Sequence, residues 1–174
     1  MRAVVDIIAD VVAKMNTSLA ASPVDNYTAV NYYYGHLAEI RQTFIQGTTN
    51  QSIKRDMFPA VILLQDFPEK TNRKEHRRDV TVKILILTDT EQKFIASERY
   101  ANTFTPILYP LEDLFFTKLE SSNEVSGYDS DYTRTDRLKW GTLKGEEGTA
   151  TWYFADFIDA IEIENLNLKI INTC

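Results

Sequence analysis

Four carboxylates, Asp156, Asp159, Glu162 and Glu164, fall close together near the end of the chain, and their spacing is the best it offers for metal binding or acid–base work. Side chains alternate along a strand, so Glu162 and Glu164 would share one face about two residues' rise apart, within reach of one divalent ion on a concave surface. The same series also describes the acidic outer face of a half-exposed strand. A nuclease of the restriction-enzyme type would need an Asp, a Glu-x-Lys on an adjacent strand and a metal. Glu162-Ile163-Glu164 has no lysine at that spacing, so this signature fails.

The remaining reactive residue types are scattered. His36 and His76 sit in separate predicted elements with no Cys or second His beside them, which leaves a histidine metal site without support. Cys174 is the one cysteine, with no predicted base near it, so neither a disulfide within the chain nor a thiolate zinc site is available. Neither glycine-rich phosphate cradle, Gly-x-x-x-x-Gly-Lys or Gly-x-Gly-x-x-Gly, occurs. The sequence therefore assigns no catalytic residue, no metal ligand and no cofactor, and the expectation is a protein that is not an enzyme.

A different kind of chemistry is concentrated between residues 66 and 79. Lys70, Arg73, Lys74, His76, Arg77 and Arg78 alternate there with Asp66, Glu69, Glu75 and Asp79. Such a segment reads either as a solvated hairpin tip or as a charged arm that docks on an acidic partner.

The elements that must position these groups follow from hydrophobic spacing. Val4, Ile7, Ile8, Val11, Val12 and Met15 recur at helical period opposite Asp6, Asp10 and Lys14, which predicts an amphipathic helix over 2–19. Ser22, Pro23 and Asp25 start a loop, and Tyr27, Tyr32, Tyr33 and Tyr34 crowd behind it as packing residues with hydroxyls reaching water. Leu37, Ile40 and Phe44 predict a short helix over 36–46 ended by Gly47, and the polar stretch from Thr48 to Met57 predicts an exposed loop.

Two runs of β-formers, Phe58 to Leu64 and Val80 to Leu87, predict a hairpin at the centre of the core. After it, Ser97 is placed as the cap of a helix over 97–120 that Pro106 and Pro110 should bend or split near Pro106. Ser121 to Ser130 has the composition of a long mobile loop. Strands over 132–140 and 151–171 complete the sheet, with Gly141, Gly145 and Gly148 as turn chemistry between them. In the last strand Phe157, Ile161 and Ile163 are odd-numbered whereas Leu166, Leu168 and Ile170 are even. A bulge, a bend or a change of sheet surface near Asn165 would keep both halves facing apolar surroundings.

The fold class expected is thus α+β: a single domain over 1–174, mainly antiparallel sheet, with an N-terminal helix and a long Pro-bent helix packed on it. Within it, 1–57 supplies helices and a loop, 58–88 the hairpin, 97–120 the helix and 131–171 the C-terminal strands. The length of 174 residues and 44% hydrophobic content suit one core. A net charge of −6 argues against broad phosphate neutralisation, hence against a protein that grips nucleic acid non-specifically. Residues 1–20 lack the uninterrupted centre of a signal peptide, and no apolar run approaches a membrane span, which points to a soluble, intracellular chain at synthesis.

Several strings, taken in order, carry a family resemblance. The N-terminal helix, Tyr33-Tyr34-Gly35-His36 with Glu39-Ile40, Phe58-Pro59, Val80 to Thr88, Pro106-Ile107-Leu108-Tyr109-Pro110-Leu111, Lys139-Trp140-Gly141 and Asp159-Ala160-Ile161-Glu162-Ile163 together resemble small tail-completion proteins of tailed phages and prophages. The plan is similar to that of tail terminators. The resemblance implies a structural virion subunit, made in the host cytoplasm, that assembles with itself into a ring of six at the tail or neck. Its partners would be the tail tube and neck or head-completion proteins, with DNA met only by passage and no membrane. It also places assembly contacts at Arg73, Lys74, Arg77 and Arg78 of the basic connector and at Glu162 and Glu164 of the acidic strand, the latter toward the lumen or a neighbour's arginines. An intracellular adaptor that binds a protein partner through the tyrosine cluster, and a divalent-metal hydrolase built on Asp156 to Glu164, are the alternatives from other classes.

Overall fold

The computed structural model describes residues 2–48, 57–72, 76–140, 142–144, 150–152 and 158–171. Helix α1 (Val4–Ala21) buries Val4, Ile7, Ile8, Val11, Val12, Met15 and Leu19, the stripe that the sequence period predicts. Strand β1 (Asn31–Gly35) follows, where the sequence shows tyrosines but no assigned element. Asn16 of α1 holds its start by accepting from the Val30 N–H (2.7 Å) and donating to the Val30 carbonyl (3.0 Å).

Helix α2 (Leu37–Thr48) leads from β1 toward β2 (Ala60–Leu64), which pairs parallel to β1. Parallel neighbours need a crossover, and α2 lies in that connection. Its start is fixed locally: His36 Nδ1 accepts from the Ala38 N–H (3.2 Å), and the Glu39 carboxylate accepts from the His36 N–H (3.2 Å). Gly35 is required just before it. Its φ is +141°, and a Cβ there would come within 2.9 Å of the Glu39 carboxylate. The loop expected over 48–57 lies, but for its two ends, outside the described residues, as do the three turn glycines.

The hairpin is central, as the two apolar runs predict, and longer than they predict. Strand β4 (Arg77–Asp89) pairs antiparallel with β2 through its second half and with β3 (Glu69–Asn72) through its first. The connector is therefore a two-stranded arm and not simply a tip. Successive residues of β2 face opposite cores: Val61 and Leu63 join one cluster, Ala60 and Ile62 the other. That is why the run is apolar without alternation.

The second helical region, α3 (96–120), is one continuous 25-residue helix made of Ala96–Arg99, a wide π-helical section Tyr100–Leu108, and Tyr109–Glu120. Of the bend or split expected near Pro106, the split is absent, and the π winding supplies the reason. Proline lacks an N–H and its ring crowds the carbonyl four residues earlier; opening the turn relieves that contact, and the Tyr109 N–H bonds instead to the Phe104 carbonyl five residues back. Ser97 lies inside the first turn and is not the cap. That place belongs to Ile95, whose N–H donates to Glu98 Oε2 (3.0 Å).

The stretch expected as a mobile loop after α3 contains strand β5 (Val125–Tyr128). Strands β6 (Thr133–Trp140), β7 (Thr142–Lys144), β8 (Ala150–Trp152) and β9 (Ile158–Ile171) follow, with β7 and β8 forming a separate small hairpin. The main sheet has seven strands, in the order β1-β2-β4-β9-β5, with β3 on β4 and β6 on β9; every pairing but β1 with β2 is antiparallel. One face packs on α1 and α3, and its core includes Phe104 and Phe115 of α3 with Ile161 and Ile163 of β9. The other packs on Ile40 and Phe44 of α2 with Met57 and Phe58, over Leu85, Leu87, Ile158 and Ala160. Among the described residues no helix is long and apolar enough to cross a membrane.

The phase change in β9 is a bulge. Val82 faces Leu166 and Ile84 faces Ile163, so β9 spends one residue more than β4 between these pairs, and Asn165 takes φ +60°. Ile161, Ile163, Leu166, Leu168 and Ile170 consequently all reach the core beneath α1 and α3.

Candidate functional site

Glu162 and Glu164 do share a face, that of α2, but the space between them is occupied by a lysine. Lys83 Nζ of β4 lies 2.5 Å from Glu162 Oε1 and 2.6 Å from Glu164 Oε1. Arg137 of β6 donates to the second oxygen of Glu162. Opposite charges on adjacent strands are the sheet's own way of holding such residues. The lone lysine inside the apolar Val82 to Leu87 run was the signal in the sequence for this pairing; the register that delivers it was not visible there.

Burial acts most strongly on Glu162, raising its pKa, yet the hydrogen bonds from Lys83 and Arg137 outweigh it and leave the carboxyl below its ordinary value. Lys83 is held above its ordinary value: burial lowers it, and Glu162 and Glu164 more than reverse this. The sign for stability follows. A depressed carboxyl contributes at pH values above its unfolded pKa, and the contribution fades as pH falls through the folded value. We expect the urea midpoint to fall below about pH 4.5 in wild type and to fall less steeply in Glu162→Gln; equal slopes in the two proteins would remove Glu162 as a source of acid sensitivity.

A second charged group lies on the α3 side. Asp159 is fully buried, and its Oδ1 accepts from Arg99 Nη1 (2.8 Å) and from the Lys139 N–H (2.9 Å). Arg99, also buried, donates further to the carbonyls of Phe94 (2.9 Å) and Glu91 (3.0 Å). Next along β6, Arg134 is bonded to Glu112 of α3 (2.7 Å), paired with Asp136 (2.9 Å), and stands 5.0 Å from the ring centre of Tyr109. Tyr109 donates to Asp136 Oδ2 (2.8 Å). These contacts lock helix to sheet. None presents a carboxylate pair to solvent, and among the described residues no three His, Cys, Asp or Glu side chains converge as a metal site. Asp156 and Cys174 lie outside the described residues, and His76 is an exposed turn residue with φ +49°.

The six residues assigned to assembly divide sharply. Arg73 and Lys74 lie outside the described residues. Arg77 is half-buried on β4 and bonded to Asp79 (3.0 Å). Arg78 is corrected: it is only 2% exposed, turned inward, with Nη2 donating to the Arg2 carbonyl (2.6 Å) and Nη1 facing Glu69 (3.3 Å). Strand alternation explains the contrast, because neighbours on β4 face opposite sides. Glu162 is likewise 5% exposed and neutralised from within, so it offers little to a lumen or a neighbouring arginine. Glu164 stays half-exposed beside Lys83. A notch of about 270 Å³ opens next to this pair, between the β2–β3 link and the bulge, and its charged groups include the already bonded Lys83 and Glu164.

Comparison of the chain with protein-family models and with curated proteins gives no match in either.

Proposed function

We propose that the chain is a structural subunit of a phage or prophage tail or neck, a tail terminator or head–tail joining protein that works as a ring through fit between copies. The observation that carries this reading is the arm made by β3 and the first half of β4. All four residues of β3 are exposed, although β4 beside it buries Arg78 and Val80. A strand that contributes nothing to the core is held out as surface, and its Lys70 presents charge for a neighbour while Glu69 faces Arg78. Head-to-tail contacts through such an arm close into a ring when the rotation between copies closes. The net charge of −6 supports the same reading, since a passage for DNA should not hold phosphate.

Negative-stain imaging of the purified protein, alone and mixed with purified phage tail tubes, is the test. Rings of six that cap tubes are the expected result, and Lys70→Glu with Arg77→Glu should abolish them while Arg78 is left intact for stability. Monomers that ignore the tube would overturn the reading. The hydrolase alternative has its own measurement: calorimetry with magnesium, manganese and calcium is expected to give no heat, and saturable heat would revive it.

A further inference from the structure

Sheet edges are where a β protein is exposed to unwanted pairing, and most edges here are blunted. Strand β3 carries Glu69 and Lys70, β5 is four residues long with an irregular register at Gly127, and β6 carries Arg134, Asp136, Arg137 and Lys139 with a register shift before Trp140. Strand β1 has none of these devices. Asn31-Tyr32-Tyr33-Tyr34-Gly35 has no charge, no proline and no bulge against β2, and among the described residues no strand pairs with its outer side.

The direction of its backbone groups is fixed by its inner neighbour. The Asn31 N–H donates to the Pro59 carbonyl (2.9 Å) and the Gly35 carbonyl accepts from the Gln65 N–H (3.1 Å), so residues 31, 33 and 35 face β2. The N–H and C=O of Tyr32 and Tyr34 therefore face outward. The rings of these two tyrosines lie together on the α1 side, 6.0 Å apart; Tyr32 is tied to the Val5 carbonyl (3.0 Å) and Tyr34 is 55% exposed. Tyr33 points to the other face, against Phe44.

The geometry points to a second copy of this chain as the occupant of the β1 edge, joined antiparallel about a two-fold axis at Tyr33. In that register Tyr32 and Tyr34 of one copy exchange backbone hydrogen bonds with Tyr34 and Tyr32 of the other, and the two Tyr33 residues form the central, non-hydrogen-bonded pair. The contact is self-complementary because the strand is uncharged, so no like charges meet. The charged and bulged edges of the same molecule are poor alternatives for it. This contact goes beyond the tail reading: a ring closed through the β3–β4 arm leaves β1 available, and two copies pair through it whether or not a ring also forms.

Light scattering after gel filtration tests this, with cysteine cross-linking to fix the register. Wild type is expected at an even multiple of the 20.0 kDa chain mass, and Tyr34→Pro, which removes an outward N–H and no inner one, is expected to halve it. In a Cys174→Ser background, Tyr33→Cys should cross-link under mild oxidation, because Cα atoms about 4.5 Å apart lie within disulfide range. Tyr34→Cys should not, since its two copies would sit roughly 8 Å or more apart. A monomeric wild type, a mass unchanged by Tyr34→Pro, or cross-linking at position 34 in place of 33 would overturn the pairing. Charge reversal at Lys70 and Arg77 should leave it intact, so failure of the tail reading and failure of this contact give different results.

Discussion

Asp159→Ala is expected to lower the free energy of unfolding by about 3–5 kcal/mol, measured by urea denaturation at neutral pH. The substitution leaves the Arg99 guanidinium buried at 1% exposure without its counter-charge, and also strips the Lys139 N–H of its acceptor. Removing one member of a buried pair is costly because the survivor's lost hydration is no longer compensated. Against a typical domain stability of about 5–15 kcal/mol, such a loss brings the protein close to unfolding at ordinary temperature. Arg99→Met combined with Asp159→Leu should cost less than Asp159→Ala alone, because no orphan charge remains. A double variant no more stable than the single would show that the carbonyl bonds of Arg99 to Glu91 and Phe94, and not the charge pair, hold this region together.

Deleting Asn165 is expected to leave the protein folded and to turn the bulge into regular pairing. The deletion removes the extra residue of the bulge, so Ile163 and Leu166 become two positions apart opposite Ile84 and Val82, and with a side-chain period of two every later residue of β9 keeps its face. Leu166, Leu168 and Ile170 then stay in the core and Lys169 stays outside it. Asn165→Gly should be nearly neutral, since glycine accepts φ +60° readily, whereas Asn165→Val should cost about 1–3 kcal/mol. Circular dichroism and thermal melting distinguish these outcomes, and a deletion variant that fails to fold would show that the bulge itself is needed by this sheet.

The bulge also shows how far periodicity alone carries. A change from odd to even apolar positions is written in the chain, and one extra residue is a way to keep both halves on one side of a sheet. The same holds for α1, whose stripe needs only a 3.6-residue period, and for β2 and the second half of β4, whose unbroken apolar runs require burial on both faces. Strand β1 escaped because three consecutive tyrosines carry no alternation, and β5 because Val125 to Tyr128 has the composition of a turn. Proline in α3 left bend and split both open for a related reason: its missing donor and ring crowding are local facts, while the winding that relieves them is set by packing along the whole helix.

The charged residues mark the boundary most clearly. Their identities, the acidic series of the last strand and the basic connector, belong to the sequence alone, and so does the α+β class. Which charge meets which was decided by strand register and helix placement: Lys83 between Glu162 and Glu164, Arg99 on Asp159, Arg78 turned under Arg2 while Arg77 faces the other way. Ion pairing depends on distances of a few ångströms between residues that are 60 to 81 positions apart for the pairs to β9, and no local pattern in a chain encodes such distances.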